Sequence, residues 1–262
     1  RLKQGSPALK AGFRPIDITK AGLYGSKEWC ALPAKFPNRE LVEIAAPVKL
    51  PIQINYDFES LLPGSKPFDA RIHIDGKASV KVSDELSASG GNSLKFTDAS
   101  GLRARWLPHL EYMRQYTNGV ITLSWDLLNS AAQPADFTIE LRDYSGTQFA
   151  SGPSINVNSK GEVRANGVSL GSVAHNRWAH ITITLELNNA KPSKYAVRLE
   201  QVNAPSIDKT IPLRDNKFKI ITWLGIMSNS DRTAHYYIDN LRMGTEEELA
   251  KPPKRRARRK QK

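Results

Sequence analysis

Four stretches of this chain alternate apolar and polar residues with period two, and that pattern limits the fold more than any other feature. Ile121, Leu123, Trp125 and Leu127 alternate with Thr122, Ser124 and Asp126. Phe137, Ile139 and Leu141 alternate with Thr138, Glu140 and Arg142. Ala179, Ile181, Ile183, Leu185 and Leu187 alternate with His180, Thr182, Thr184 and Glu186, and Tyr195, Val197 and Leu199 with Ala196, Arg198 and Glu200. Period two puts one face of a strand on a core and the other in water. Turn signals separate the runs: Gly90-Gly91-Asn92, Ser100-Gly101, Ser145-Gly146, Lys160-Gly161, Asn166-Gly167 and Asn188-Asn189. No amphipathic helix and no long repeat interrupts them. The pattern predicts an all-β, two-sheet antiparallel sandwich of jelly-roll type over residues 51–244.

The stretch Lys217–Met243 organises this domain. Two β-rich runs flank Asn229-Ser230-Asp231-Arg232, a hairpin signal. The second run has an echo in Ile54–Glu59, so an opening and a closing strand are expected to pair and bring the domain ends together.

Charge is concentrated at one end. The chain has 262 residues and formal net charge +12, and residues 251–262 carry eight Lys/Arg and no acid, leaving about +4 for the rest. This tail, within a charged segment 245–262, predicts disorder and binding to polyanions by counterion release, without sequence preference. No aromatic residue interleaves with it, which argues against base stacking. Residues 244–250 read either as a helical turn or as solvated chain. Cys30 is the single cysteine, so there is no intrachain disulfide and no cysteine-based zinc site. No apolar run approaches the ~20 residues of a membrane span. The chain starts at Arg1 without an apolar leader, which reads as a processed chain or a fragment.

Residues 1–50 show no sustained period yet carry the apolar anchors Leu9, Phe13, Ile16, Ile18, Leu23, Tyr24 and Trp29, an extended segment that needs a surface to dock on. Ser6, Pro7, Ala8, Gly12, Phe13, Gly22, Leu23 and Tyr24 resemble the closing segment of bacterial right-handed parallel β-helix proteins, many of them carbohydrate-active. The resemblance implies an upstream β-helix domain as partner, and an extracellular or cell-surface bacterial protein.

The strings DFESLLPG, SASGGNSLKF and YYIDNLRM resemble the opening, third-strand and closing signatures of β-jelly-roll carbohydrate-binding modules and concanavalin-like sandwiches. Such modules often hold a structural calcium where the first and last strands meet. By this resemblance Glu59 and Asp239, with Asp57 and the Gly91–Ser93 backbone, would supply the hard oxygen ligands that calcium needs.

For a glycan ligand, the polar strand faces offer Asp126, Glu140, Arg142, His180 and Glu186, with Trp223 as a flat aromatic surface. Trp106 lies in a loop-rich stretch with Arg103, Arg105 and His109, whereas Trp125 and Trp178 read as core or sheet-edge anchors. Taken singly, each of these residues reads more readily as part of a solvated β face. Catalytic signatures are missing. The glucanase pattern E-x-D-x-x-E has its nearest counterpart in Glu140–Asp143, which lacks the spacing, and the Q-I-H strand of sandwich alginate lyases is absent. There is no G-x-S-x-G, H-E-x-x-H or phosphate loop. The five histidines, 73, 109, 175, 180 and 235, form no tight ligand pair in sequence.

The sequence therefore predicts a non-catalytic carbohydrate-binding or accessory module of a secreted carbohydrate-active protein, with no catalytic residues of its own. The alternatives are a glycoside hydrolase or polysaccharide lyase with an unfamiliar site, and a structural surface module held by its basic tail. Trp223 beside carboxylates about 5–10 Å apart would favour an enzyme.

Overall fold

A computed structural model describes residues 4–14, 22, 24–35, 53–188 and 192–250. The chain divides into two compact units, Arg1–Lys49 and Leu50–Lys262. No helix of the described residues is long and apolar enough to cross a membrane.

The first unit contains three single-turn helices, α1 (Pro7–Lys10), α2 (Lys27–Cys30) and α3 (Leu32–Lys35). Serines start the first two. The Ser6 hydroxyl accepts the Ala8 N–H and that of Ser26 accepts the Trp29 N–H, each satisfying an otherwise orphaned donor. Phe13, Tyr24 and Trp29 are exposed, while Ile16, Ile18 and Leu23 lie outside the described residues.

The second unit is the predicted sandwich. Its strands in chain order are β1 (Ile54–Tyr56), β2 (Arg71–His73), β3 (Ser79–Ser83), β4 (Ser93–Asp98), β5 (His109–Tyr116), β6 (Asn118–Asn129), β7 (Phe137–Asp143) and β8 (Ala150–Val157). There follow β9 (Glu162–Ala165), β10 (Val168–Ser172), β11 (Ala179–Asn188), β12 (Lys194–Gln201), β13 (Ile207–Pro212), β14 (Ile221–Ser228) and β15 (Ala234–Thr245). One sheet runs β13-β12-β11-β6-β15-β4-β3, with β1 also on β15. The other runs β10-β9-β8-β7-β14-β5-β2. The helical turn left open by the sequence forms as α4 (Glu246–Ala250). The tail 251–262 lies outside the described residues.

The alternating runs behave as the pattern requires. Ile121, Leu123, Trp125 and Leu127 of β6 are buried, as are Ile181, Ile183 and Leu185 of β11, and both sets join one core between the sheets. Phe96, Tyr236 and Phe137 stack through that core, with ring centres 4.5 and 4.1 Å apart, tying β4 and β15 of one sheet to β7 of the other. Opening and closing strands pair as expected, Ile54 opposite Met243.

The hairpin expectation is corrected. β14 pairs with β5 and β7, and β15 pairs with β1, β4 and β6, so residues 229–233 cross from one sheet to the other. A polar four-residue turn is compatible with either course. β14 is buried at every position but Thr222, as suits a central strand with a neighbour on each side.

Candidate active site

Three central strands of the second sheet, β5, β14 and β7, carry an unusual set of side chains on the face turned away from the core. Their register arranges them in rows. Met113, Trp223 and Arg142 form the first row. Arg71, Glu111, Gly225, Glu140 and Ser154 form the second. His73, His109, Met227, Thr138 and Asn156 form the third. Leu110 and Tyr112 of β5, and Leu224 and Ile226 of β14, point the other way and belong to the core.

Trp223 is 2% exposed yet is not part of the core cluster between the sheets. It is covered from the outside. Its indole lies over Gly225, where a Cβ would run into the ring, so only glycine admits this rotamer. The indole N–H reaches the second row and donates to Glu111 Oε2 at 2.6 Å. The guanidinium of Arg142 sits 4.5 Å from the Trp223 ring centre and 4.4 Å from that of Phe149, a double cation–π contact. The same guanidinium donates to Glu140 Oε2 from Nε at 2.9 Å, pairs with it through Nη2 at 2.7 Å, and donates from Nη1 to the Tyr144 hydroxyl at 3.2 Å. Tyr144 is further held by its ring contacts with Trp223 and Phe149, and by its backbone N–H to the Thr222 hydroxyl.

The other side of the face is built on imidazoles. His73 and His109 stack with ring centres 5.3 Å apart, and Trp106 stands edge-on to His109 at 5.5 Å. His73 Nε2 lies 3.4 Å from Glu111 Oε1, and Arg71 3.8 Å from the same oxygen. Burial pushes His109 down to about 4, so its imidazole is neutral near pH 7. Burial alone would raise Glu111, but the hydrogen bonds from Trp223 and His73 outweigh it and hold the carboxyl below its ordinary range. Trp106, Tyr144, Phe149 and Met113 remain exposed and frame the polar centre.

The residues singled out in the sequence divide between two surfaces. Trp223, Glu140, Arg142 and Trp106 come together here. Asp126 and His180 lie on the other sheet, where His180 Nδ1 meets Asp126 Oδ1 at 2.7 Å and Asn240 donates to Asp126 Oδ2 at 2.6 Å. Glu186 is exposed on that sheet as well. The expectation that the histidines form no tight pair is corrected by His73 and His109, which β2–β5 pairing sets side by side across 36 residues of sequence. His73, Glu111, Tyr144 and Phe149 were not singled out. The available signal was the i, i+2 spacing of Arg71 with His73 and of His109 with Glu111, which places each pair on one strand face.

The expected calcium ligands have other partners. Glu59 accepts the backbone N–H groups of Gly91 and Asn92 at 2.9–3.1 Å. Asp239 accepts those of Ala88 and Ser89, and Asp57 accepts the Glu59 N–H. As arranged, Glu59 and Asp239 tie down the loop before β4, and Asp57 holds the turn at Glu59.

No family model and no curated protein matches the sequence. Solved structures do match by shape. One is an endo-β-1,4-glucuronan lyase from the fungus Trichoderma reesei, with TM-score 0.52 and 10% identity over 67% of this chain and 90% of that one. The chain shares that fold. Weaker likenesses are the alginate lyase Aly36B, with TM-score 0.49 and 12% identity over 75% of this chain and 98% of that one, and an alginate lyase from Aplysia kurodai, with TM-score 0.48 and 10% identity over 64% and 87%. The reading as a non-catalytic binding module is thereby corrected. The fold-mate is a polysaccharide lyase, and the enzymatic alternative is carried forward.

Proposed function

We propose that this chain is a polysaccharide lyase that cleaves a polyuronate by β-elimination on the outer face of β5, β14 and β7. The observation that carries the reading is the Arg142–Tyr144 pair, a phenol fixed by a guanidinium and two aromatic rings at an exposed edge of a titratable cluster. The shared fold with a glucuronan lyase supports it.

In β-elimination a base removes the proton on C5, next to the uronate carboxylate. The electron pair forms the C4–C5 double bond, the C4–O bond breaks, and the departing oxygen takes a proton. Tyr144 is the proton-transfer group, and Arg142 positions its oxygen and offsets negative charge developing there. The exposed rings of Trp106 and Phe149 offer sugar-stacking surfaces. Arg71 on one side, and Lys217 and Lys219 around the cleft that also includes Ser145 and Gln148, supply positive charge for an anionic polymer. A hydrolase is less well served. It needs a protonated carboxyl as general acid, whereas Glu111 is held ionised and Glu140 is paired with Arg142.

A polymer of this kind is met outside cells, which supports an extracellular location. The basic tail would add electrostatic attraction for the substrate, and a β-helix domain upstream of residue 50 is a further proposal resting on the N-terminal resemblance. The test is Tyr144→Phe. It is expected to lower depolymerisation of polyglucuronate or alginate at least about 100-fold with melting temperature unchanged. Undiminished activity in the variant would remove Tyr144 from the mechanism.

A further inference from the structure

We propose that His73, His109 and Glu111 form a site for a divalent transition-metal ion such as zinc. One nitrogen from each imidazole and one carboxylate oxygen lie within 4.8 Å of one another, the only such trio among the described residues. Two imidazole nitrogens and one carboxylate oxygen are a ligand set suited to zinc and its neighbours, and too poor in oxygen for calcium. Three protein ligands leave coordination positions open toward the exposed side of the face.

A second observation points the same way. His109 is 7% exposed, and neither Nδ1 nor Nε2 has a hydrogen-bond partner. A buried imidazole with both nitrogens unsatisfied is costly, and polar groups so placed call for an explanation. An ion held between His109 and His73 would satisfy one of them. The carboxylate is already prepared for the role. The Trp223 indole N–H holds Glu111 Oε2 and leaves Oε1 facing His73 Nε2, the outer-sphere orientation seen around ligating carboxylates. Arg71 is the competing group at Oε1, but its side chain is 69% exposed and is free to turn into solvent.

This site does not depend on the lyase reading, and its test is binding alone. The tag-free full chain, freed of metal with a chelator, is titrated with Zn²⁺ by calorimetry and with Co²⁺ by visible absorption. The expected result is one equivalent bound, with the Co²⁺ spectrum of a nitrogen-ligated, low-coordinate site. His73→Gln, at the half-exposed edge, should abolish the spectrum while leaving the fold intact by circular dichroism. Trp223→Phe, which keeps all three ligands, should weaken binding about 10–100-fold. No binding by the wild-type chain, or equal binding by His73→Gln, would overturn the site.

Discussion

Arg142 sits over Trp223, its guanidinium 4.5 Å from the ring centre, and this contact joins the acidic and aromatic halves of the candidate site. The same cation neutralises Glu140, whose side chain is 10% exposed. Removing Arg142 leaves a buried carboxylate without its partner. Arg142→Leu should therefore destabilise the fold by about 3 kcal/mol, and Arg142→Leu with Glu140→Leu should recover most of that loss. Urea denaturation of the single and double variants measures both.

The Phe96–Tyr236–Phe137 stack is an aromatic bridge between the two sheets. Truncating its middle ring opens a cavity that fully buried neighbours cannot fill. Tyr236→Ala should cost about 3–5 kcal/mol in stability, more than the same change at exposed Tyr144. Paired denaturation curves decide it.

The second face gives a pH signature. The hydrogen bond to Asp126 raises His180 above its ordinary value, against a smaller opposing effect of burial. A raised folded-state value means that the protonated form is the one stabilised. The contribution is complete below the unfolded value near 6.5 and fades as pH rises through the folded value. Wild type should lose stability relative to His180→Gln as pH rises above about 6.5, read from melting temperatures across that window.

The tail 251–262 carries eight cationic residues. If it recruits an anionic polymer, deleting it should raise KM at low salt with kcat unchanged, and the difference should vanish as salt increases. Kinetics at two ionic strengths on both forms of the chain check this.

The sandwich was legible in the sequence because burial of one strand face imposes period two, and β6, β7, β11 and β12 keep it for six residues or more. Pairing was less legible. The turn at 229–233 reads the same whether it returns along one sheet or crosses to the other. Half of the site was legible for a related reason: Glu140 and Arg142 announce a polar face by alternating with Leu141 and Ile139. His73 and His109 show only the i, i+2 spacing with Arg71 and Glu111, since β2 has three residues and nothing in the sequence marks its register on β5. Trp223 was noticed for its ring, but its burial from the outer side by Arg142 and Tyr144 is a tertiary fact. Glu59 and Asp239 were read from motif resemblance as cation ligands. Motif spacing does not distinguish a carboxylate facing an ion from one facing backbone N–H groups.

The most direct test of the central claim is the chemistry of the product. Polyglucuronate and alginate incubated with the full chain should gain the ultraviolet absorbance of an unsaturated uronate, and mass spectrometry should show oligomers lacking one water at their new non-reducing ends. Products carrying that water would mean hydrolysis and contradict the lyase assignment. Unchanged polymer across a panel of polyuronates would contradict polyuronate cleavage by this face.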